Sequence, residues 1–269
     1  MTRLSRAFAR AKTARRAALV VFVEAGDPDA AATARLLPAL ASAGADVLEL
    51  GIPFSDPLAD GPTIQRASER ALASGTTLAG ALEILAGARA RGLATPVVVF
   101  SYANPIFAMG ETDFARRARD AGADGVLVTD LPPEEGRAFS SVLRSAGLDP
   151  IYLLAPTSPD GRLRRAASLS RGFVYLVSRS GITGARASLP EDLASLVSRV
   201  RGAVPRLPVA VGFGVSTPEQ VRVVAGLADG VVVGSAVVAA MEAAAGAGRD
   251  PVEAASGLVA SLAAACGRP

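Results

Sequence analysis

The amino-acid sequence predicts an α/β fold, a (β/α)8 TIM barrel, on three observations. Short Val/Ile/Leu runs recur with longer helix-like stretches between them, eight such runs fit along the chain, and one helix–glycine–strand joint returns four times. A length of 269 residues suits one barrel of this kind, which takes roughly 250. An open doubly wound sheet is the alternative, but eight strands within about 235 residues favour closure.

The first 16 residues are basic, and Leu4, Ala7, Phe8 and Ala11 are spaced for one face of a short helix. They lack the apolar stretch and small-residue cleavage site of a secretory signal. This reads as an extra N-terminal helix, 1–16, on a cytoplasmic protein. The strand candidates follow at 18–23, 46–50, 96–101, 125–129, 150–154, 173–178, 208–211 and 230–233. Most are nearly continuous apolar runs, as parallel strands buried on both faces require.

The joint precedes four of them. Ala43-Gly44-Ala45-Asp46, Ala121-Gly122-Ala123-Asp124, Ala146-Gly147-Leu148-Asp149 and Ala225-Gly226-Leu227-Ala228-Asp229 each place a glycine where a left-handed helix cap is wanted. Asp113, Ser158-Pro159 and Thr217-Pro218 mark helix beginnings. About 45 residues separate the second and third strands, room for an extra helix after strand two, with helices at 62–73 and 78–91. A last helix is expected at 251–266. No linker divides the chain, so 1–269 reads as a single domain. No apolar run reaches the roughly 18 residues of a membrane span.

Composition removes several chemistries. The lone cysteine, Cys266, rules out internal disulfides and thiolate-rich metal sites. The net charge of +3 is carried by scattered arginines with only 4% aromatics, so no nucleic-acid partner is expected. There is no histidine, and the only lysine is Lys12 in the leader. An imidazole base, a histidine-ligated metal and a lysine imine are all unavailable in the body of the chain, and no metal is expected.

In such barrels the site lies on the loops after the strands. Glu49, in Val47-Leu48-Glu49-Leu50-Gly51, shares a strand face with Val47 and Gly51. A carboxylate there is either a paired or surface glutamate, or a general acid/base at the barrel mouth whose desolvation raises its pKa. The next loop, from Ile52 to Pro62, holds three prolines, Asp56, Asp60 and Gly61. It reads as a shaped catalytic loop or a stiff connector, and Asp60 as a functional carboxylate or a cap for the helix at Pro62. Glycines crowd the last three loops: Gly181 and Gly184, then Gly212 and Gly214, then Gly234 before Ser235. They serve tight turns or a main-chain anion cradle at a helix N-terminus, the usual phosphate site of this fold. Together the loops suggest a small phosphorylated substrate handled by carboxylates. Aldol-type cleavage without lysine or metal needs a substrate with its own electron sink, and protonated indole is one.

The stretch from Leu48 through Gln65, LELGIPFSDPLADGPTIQ, resembles the signature of tryptophan synthase α chains closely. Gly26-Asp27-Pro28, Tyr102-Ala103-Asn104-Pro105, Ala155-Pro156-Thr157, the stretch from Ser178 to Gly184, Gly212-Phe213-Gly214 and Gly234-Ser235 extend the resemblance over essentially the whole chain. It implies a lyase that cleaves indole-3-glycerol phosphate to indole and glyceraldehyde 3-phosphate. Glu49 would be the general acid/base, and Asp60 would bind the indole N–H. Phe22, Phe100, Tyr102, Leu127, Tyr175 and Thr183 would line the substrate pocket, and Gly184, Gly214, Gly234 and Ser235 would hold the phosphate. The family implies no cofactor in this chain, and a β chain partner, carrying pyridoxal phosphate, in an α2β2 complex. Glu24 departs from the pattern, standing where the family usually has threonine. By alternation it shares the face of Phe22, either near Glu49 or turned aside. Phe100 is larger than the aliphatic residue common there. A lyase free of any partner, a non-catalytic activator of the β chain, and a barrel acting on another phosphorylated metabolite are the competing readings.

Overall fold

Each apolar run becomes a strand because it is covered on both sides, by its neighbours inside and by helices outside. The computed structural model describes residues 1–178, 189–212 and 214–267. Its strands are β1 (Ala18–Glu24), β2 (Val47–Gly51), β3 (Val97–Ser101), β4 (Gly125–Val128), β5 (Asp149–Ile151), β6 (Leu153–Leu154), β7 (Val174–Val177), β8 (Val209–Gly212) and β9 (Gly230–Val233). They form one parallel sheet in the order β5-β4-β3-β2-β1-β9-β8-β7-β6. β5 and β6 are two pieces of the expected fifth strand, separated by Tyr152 alone. β5 pairs with β4 and β6 with β7, and the Tyr175 N–H donates to the Tyr152 carbonyl at 3.1 Å. The two edges of the sheet therefore meet through one residue, and the barrel closes. The interruption has a tertiary cause: the Tyr152 hydroxyl is drawn outward, to the Gly136 carbonyl at 2.9 Å and Ser140 at 2.7 Å.

The described helices are α1 (Arg3–Thr13), α2 (Ala30–Ser42), α3 (Pro62–Ala73), α4 (Leu78–Ala90), α5 (Ala103–Met109), α6 (Glu111–Asp120), α7 (Arg137–Ser145), α8 (Asp160–Leu169), α9 (Leu193–Ala203), α10 (Pro218–Leu227), α11 (Ser235–Gly246) and α12 (Pro251–Ala264). The expected pair after β2 is α3 and α4, and the tail helix is α12. The short α5 was not foreseen. Of the predicted starts, Thr217 caps α10 in a full capping box with Gln220. Asp113 does not cap α6. Gly110 holds that position, and Asp113 sits in the first turn, where a negative charge suits the helix dipole. Pro159 precedes α8 without a side-chain cap, since Ser158 accepts from the Ala155 N–H instead.

Two apolar layers result. The outer one lies between strands and helices. The inner one fills the barrel with Val20, Val47, Val98, Leu127, Ile151 and Phe173, among others. α1 closes the barrel from below, with Leu4 and Phe8 buried and Phe8 packed 5.1 Å from Phe173. Each such side chain contributes roughly 1.5–3 kcal/mol on burial, which is why a strongly basic segment docks there. No single described helix is long and apolar enough to cross a membrane.

The repeated joint has a physical role. Gly44, Gly122 and Gly147 take φ of +108°, +88° and +80°, turning the chain back into a strand. The fourth copy differs, because Gly226 stays inside α10 and Ala228 ends the helix in extended conformation. The aspartates that follow stitch strands together. Asp46 accepts from the Leu19 N–H at 2.9 Å, Asp124 from Val97 at 2.9 Å and Asp229 from Val209 at 3.1 Å. Each also meets an arginine: Arg16, Arg89 with Arg3, and Arg201 respectively.

Candidate active site

At the C-terminal ends of the strands the sheet opens into a cleft of about 440 Å3 of empty space. Phe22, Glu49, Asp60, Ile64, Phe100 and Tyr175 line one part of it, and Gly214, Val215, Val232, Gly234 and Ser235 the rest. A wider groove lined by Arg3, Arg6 and Arg10 runs beside α1, away from these acids.

Glu49 points inward from the middle of β2, level with Phe22 on β1 and Val98 on β3. It is 1% exposed, and neither carboxyl oxygen has a hydrogen-bond partner among the described residues. Burial pushes its pKa up to about 8. The side chain is therefore a neutral acid at pH 7, ready to give a proton. That settles the sequence alternatives against a paired or surface glutamate.

Asp60 arrives from the loop before α3 and is 5% exposed. The N-cap of α3 is Gly61, with no side-chain cap, so Asp60 does not cap the helix. Its Oδ2 accepts from the Tyr102 hydroxyl at 2.8 Å. That hydroxyl in turn accepts from the Ala59 N–H at 3.0 Å, and Gln65 Nε2 donates to the Asp60 carbonyl at 2.9 Å. Burial raises the Asp60 carboxyl to about 6, against the lowering effect of Tyr102. At neutral pH it is mostly ionised. Burial and the Asp60 charge push Tyr102 upward, so it stays a donor.

The expected pocket residues divide. Phe22 and Phe100 meet edge to face at 5.1 Å and form an aromatic wall. Tyr175 faces the same space, and burial, with the Asp60 charge, raises its hydroxyl's pKa and keeps it protonated. Tyr102 stands behind Asp60 rather than on the wall, stacked on Phe54 at 5.3 Å. Leu127 is fully buried inside the barrel and does not line the cleft. Thr183 and Gly184 lie outside the described residues. Ile64, Val215 and Val232 are wall residues that sequence reasoning missed. Alternation along β9 could have found Val232, and the four-residue step from Asp60 could have found Ile64.

Opposite the acids, Gly234 is the N-cap of α11 and Ser235 its first residue, with no side-chain cap. A side chain at Gly234 would meet the Phe22 Cβ at 3.1 Å, so glycine lets β9 end close against the aromatic wall. A helix N-terminus beside Gly214 and Ser235 offers main-chain N–H groups and a positive dipole end to an anion.

Glu24 points inward at the top of β1. Its Oε1 accepts from Ser68 on α3 at 3.0 Å. The charges that act on it are those of Asp60 and Asp27. Glu49, in contrast, is shifted by burial alone. The second acid therefore sits on the Asp60 side of the cleft.

The fold and these groups define a class: a β/α barrel whose mouth holds two desolvated carboxyls beside aromatic rings and the uncapped N-terminus of a helix. Residues 8–266 match the profile of the family described as Tryptophan synthase alpha chain. The chain is 53% identical over 242 residues to the tryptophan synthase alpha chain of Geobacter sulfurreducens, covering 90% of this chain and 91% of that one. It is 51% identical over 245 residues to that of Burkholderia pseudomallei, covering 91% and 90%. Among solved structures it resembles tryptophan synthase subunit alpha of Legionella pneumophila, with a TM-score of 0.92 and 41% identity over 99% and 98% of the two chains. It also resembles a chain of tryptophan synthase from M. tuberculosis in an aminoacrylate-bound form, with a TM-score of 0.87 and 35% identity over 99% and 100%. The chain belongs to the tryptophan synthase alpha chain family.

Proposed function

We propose that Glu49 and Asp60 divide the work of cleaving indole-3-glycerol phosphate to indole and glyceraldehyde 3-phosphate. The activity is that of the family, a lyase step in tryptophan biosynthesis. Neutral Glu49 donates its proton to indole C3, which makes the ring an electron sink. Asp60, ionised and oriented by Tyr102, accepts the indole N–H and offsets the positive charge that develops there. The carboxylate of Glu49 then takes the proton of the glycerol hydroxyl next to the ring. The C–C bond breaks, its electrons return to the ring, and the hydroxyl carbon becomes the aldehyde. The proton that Glu49 gave up is restored, so the step needs no cofactor.

Phe22, Phe100 and Tyr175 hold the indole, with Ile64 and Val232 filling the edges. Gly214, Gly234 and Ser235 hold the phosphate from the other side, joined by Gly184. The family resemblance assigns Thr183 to the substrate pocket. The chain works with a tryptophan synthase β chain in an α2β2 complex, and pyridoxal phosphate belongs to that partner. We also read 1–269 as one domain, because a single sheet holds every described strand, and the protein as cytoplasmic.

The observation that carries this reading is a buried Glu49 with no partner, facing the same cleft as Asp60 and the α11 N-terminus. The test is Glu49→Gln assayed for indole release, alone and with a β chain. It should lower kcat by about 10^3-fold while binding of a non-cleavable substrate analogue stays within about threefold. Full activity in the variant would remove Glu49 from the mechanism.

A further inference from the structure

Glu24 has no part in the mechanism above, yet it is a buried carboxyl within reach of the charge on Asp60. Its place is built from three elements. It ends β1 opposite Gly51 of β2. A Cβ at Gly51 would come 2.4 Å from Glu24 Oε2 and 2.6 Å from the Phe22 ring, so only glycine leaves room for both side chains. From α3, buried Ser68 donates to Glu24 Oε1 at 3.0 Å. Ile64 and Ser68 are one four-residue step apart on α3 and share a helix face, and Asp60 lies in the loop just before that helix. Asp60 and Ile64 are cleft residues, and Ser68 is the next position along that face.

We propose that Glu24 is a positioning residue for the cleavage reaction: seated over Gly51 and held by Ser68, it locks the helix that carries Ile64 and follows directly on the Asp60 loop against the strand that carries Phe22. This rests on the lyase reading of the same cleft.

The surrounding charges fit a neutral bolt. Asp27 is gripped by Arg70 of α3 at 2.7 and 2.9 Å, and Arg70 and Arg66 both hold Glu242 of α11. Those arginines are committed elsewhere, and no described cation pairs with Glu24. Burial, with the Asp60 and Asp27 charges, raises Glu24 to about 8. At neutral pH the negative charge on this side of the cleft therefore rests on Asp60. Arg66 and Arg70 tie α3 to α11 and to Asp27, while Ser68 ties it to the end of β1, so the Ser68–Glu24 bond is the one that sets α3 and the adjoining Asp60 loop against the strand of Phe22.

The test compares kcat and KM for indole release by full-length chains: wild type, Glu24→Gln, Glu24→Ala, Ser68→Ala, the Glu24→Ala/Ser68→Ala double variant, and Asp60→Asn as a control. Glu24→Gln keeps the volume and an acceptor oxygen for Ser68, and should retain kcat within about twofold. Ser68→Ala and Glu24→Ala should each lower kcat about tenfold through a misplaced Asp60, with KM within about threefold because the phosphate grip is untouched. The double variant should be no worse than Glu24→Ala alone, because both changes break one bond. Wild-type kcat in Ser68→Ala, or losses that multiply in the double variant, would overturn the proposal. Should Glu24→Ala fail to fold, Ser68→Ala and Glu24→Gln decide it alone. An inactive wild type, or an unimpaired Asp60→Asn, would instead overturn the lyase reading.

Discussion

At the N-terminal end of the barrel, Asp46, Asp124 and Asp229 each accept a strand N–H and meet an arginine. At the C-terminal end, Glu24, Glu49 and Asp60 are buried, yet no described arginine pairs with any of them. Paired with an arginine and a strand N–H, a carboxylate joins neighbouring strands. Without an arginine, burial raises the proton affinity of each: Glu24 and Glu49 to about 8 and Asp60 to about 6. One residue type thus serves cohesion at one end and chemistry at the other, and the difference lies in the neighbours. Asp149 marks the boundary. It sits at the lower end, but its Oδ2 lacks a partner among the described residues, and burial raises its pKa.

The comparison breaks most directly at the upper end. Asp60→Asn should lower kcat by about 10^3-fold while the thermal midpoint stays within about 3 °C, measured by indole release and by thermal melting. A comparable loss from a lower-end variant would erase the distinction. The mirror experiment is Asp124→Asn, which leaves Arg89 and Arg3 without their anion. It should cost about 2–4 kcal/mol of stability in denaturant unfolding, with kcat at 20 °C unchanged.

Removing the unpaired acid should have the opposite sign. The Glu49 pKa rises from 4.5 to about 8 on folding. Folding therefore favours its protonated form, and that contribution is full below pH 4.5 and lost as pH rises through about 8. Glu49→Gln should raise the melting temperature by several degrees at pH 9 and by much less at pH 5. An equal shift at both would show that Glu49 is not the desolvated acid described here. A finer effect concerns Tyr102, whose hydrogen bond lowers Asp60. Wild-type kcat/KM should fall as pH drops through about 6, and Tyr102→Phe should move that limb to higher pH, costing about fivefold at pH 6. Smallest of all, Arg116→Ala breaks exposed ion pairs with Asp113 and Asp120. It should change stability by less than about 0.5 kcal/mol.

Much of this was legible before any coordinates. Continuous apolar runs mark buried parallel strands, and the Gly-then-Asp joint marks where helices turn back into them. Lacking histidine, and with no lysine beyond Lys12, the chain directs attention to carboxylates. The break at Tyr152 was not legible, because it comes from a hydroxyl drawn to Gly136 and Ser140, residues far along the chain. The joint likewise reveals a glycine and an aspartate but not the arginine each aspartate meets.

The sequence by itself determined the strand and helix rhythm, the face that Glu49 shares with Val47 and Gly51, and the chemistry that is unavailable, since periodicity and residue type are local properties. Tertiary structure alone decided that Asp60 leans on Tyr102 instead of capping α3, that Glu24 belongs to the Asp60 side, and that Glu49 has no described partner. Each of those is a contact or a desolvation between residues on different elements, and proton affinity inside a protein depends on what the fold brings near.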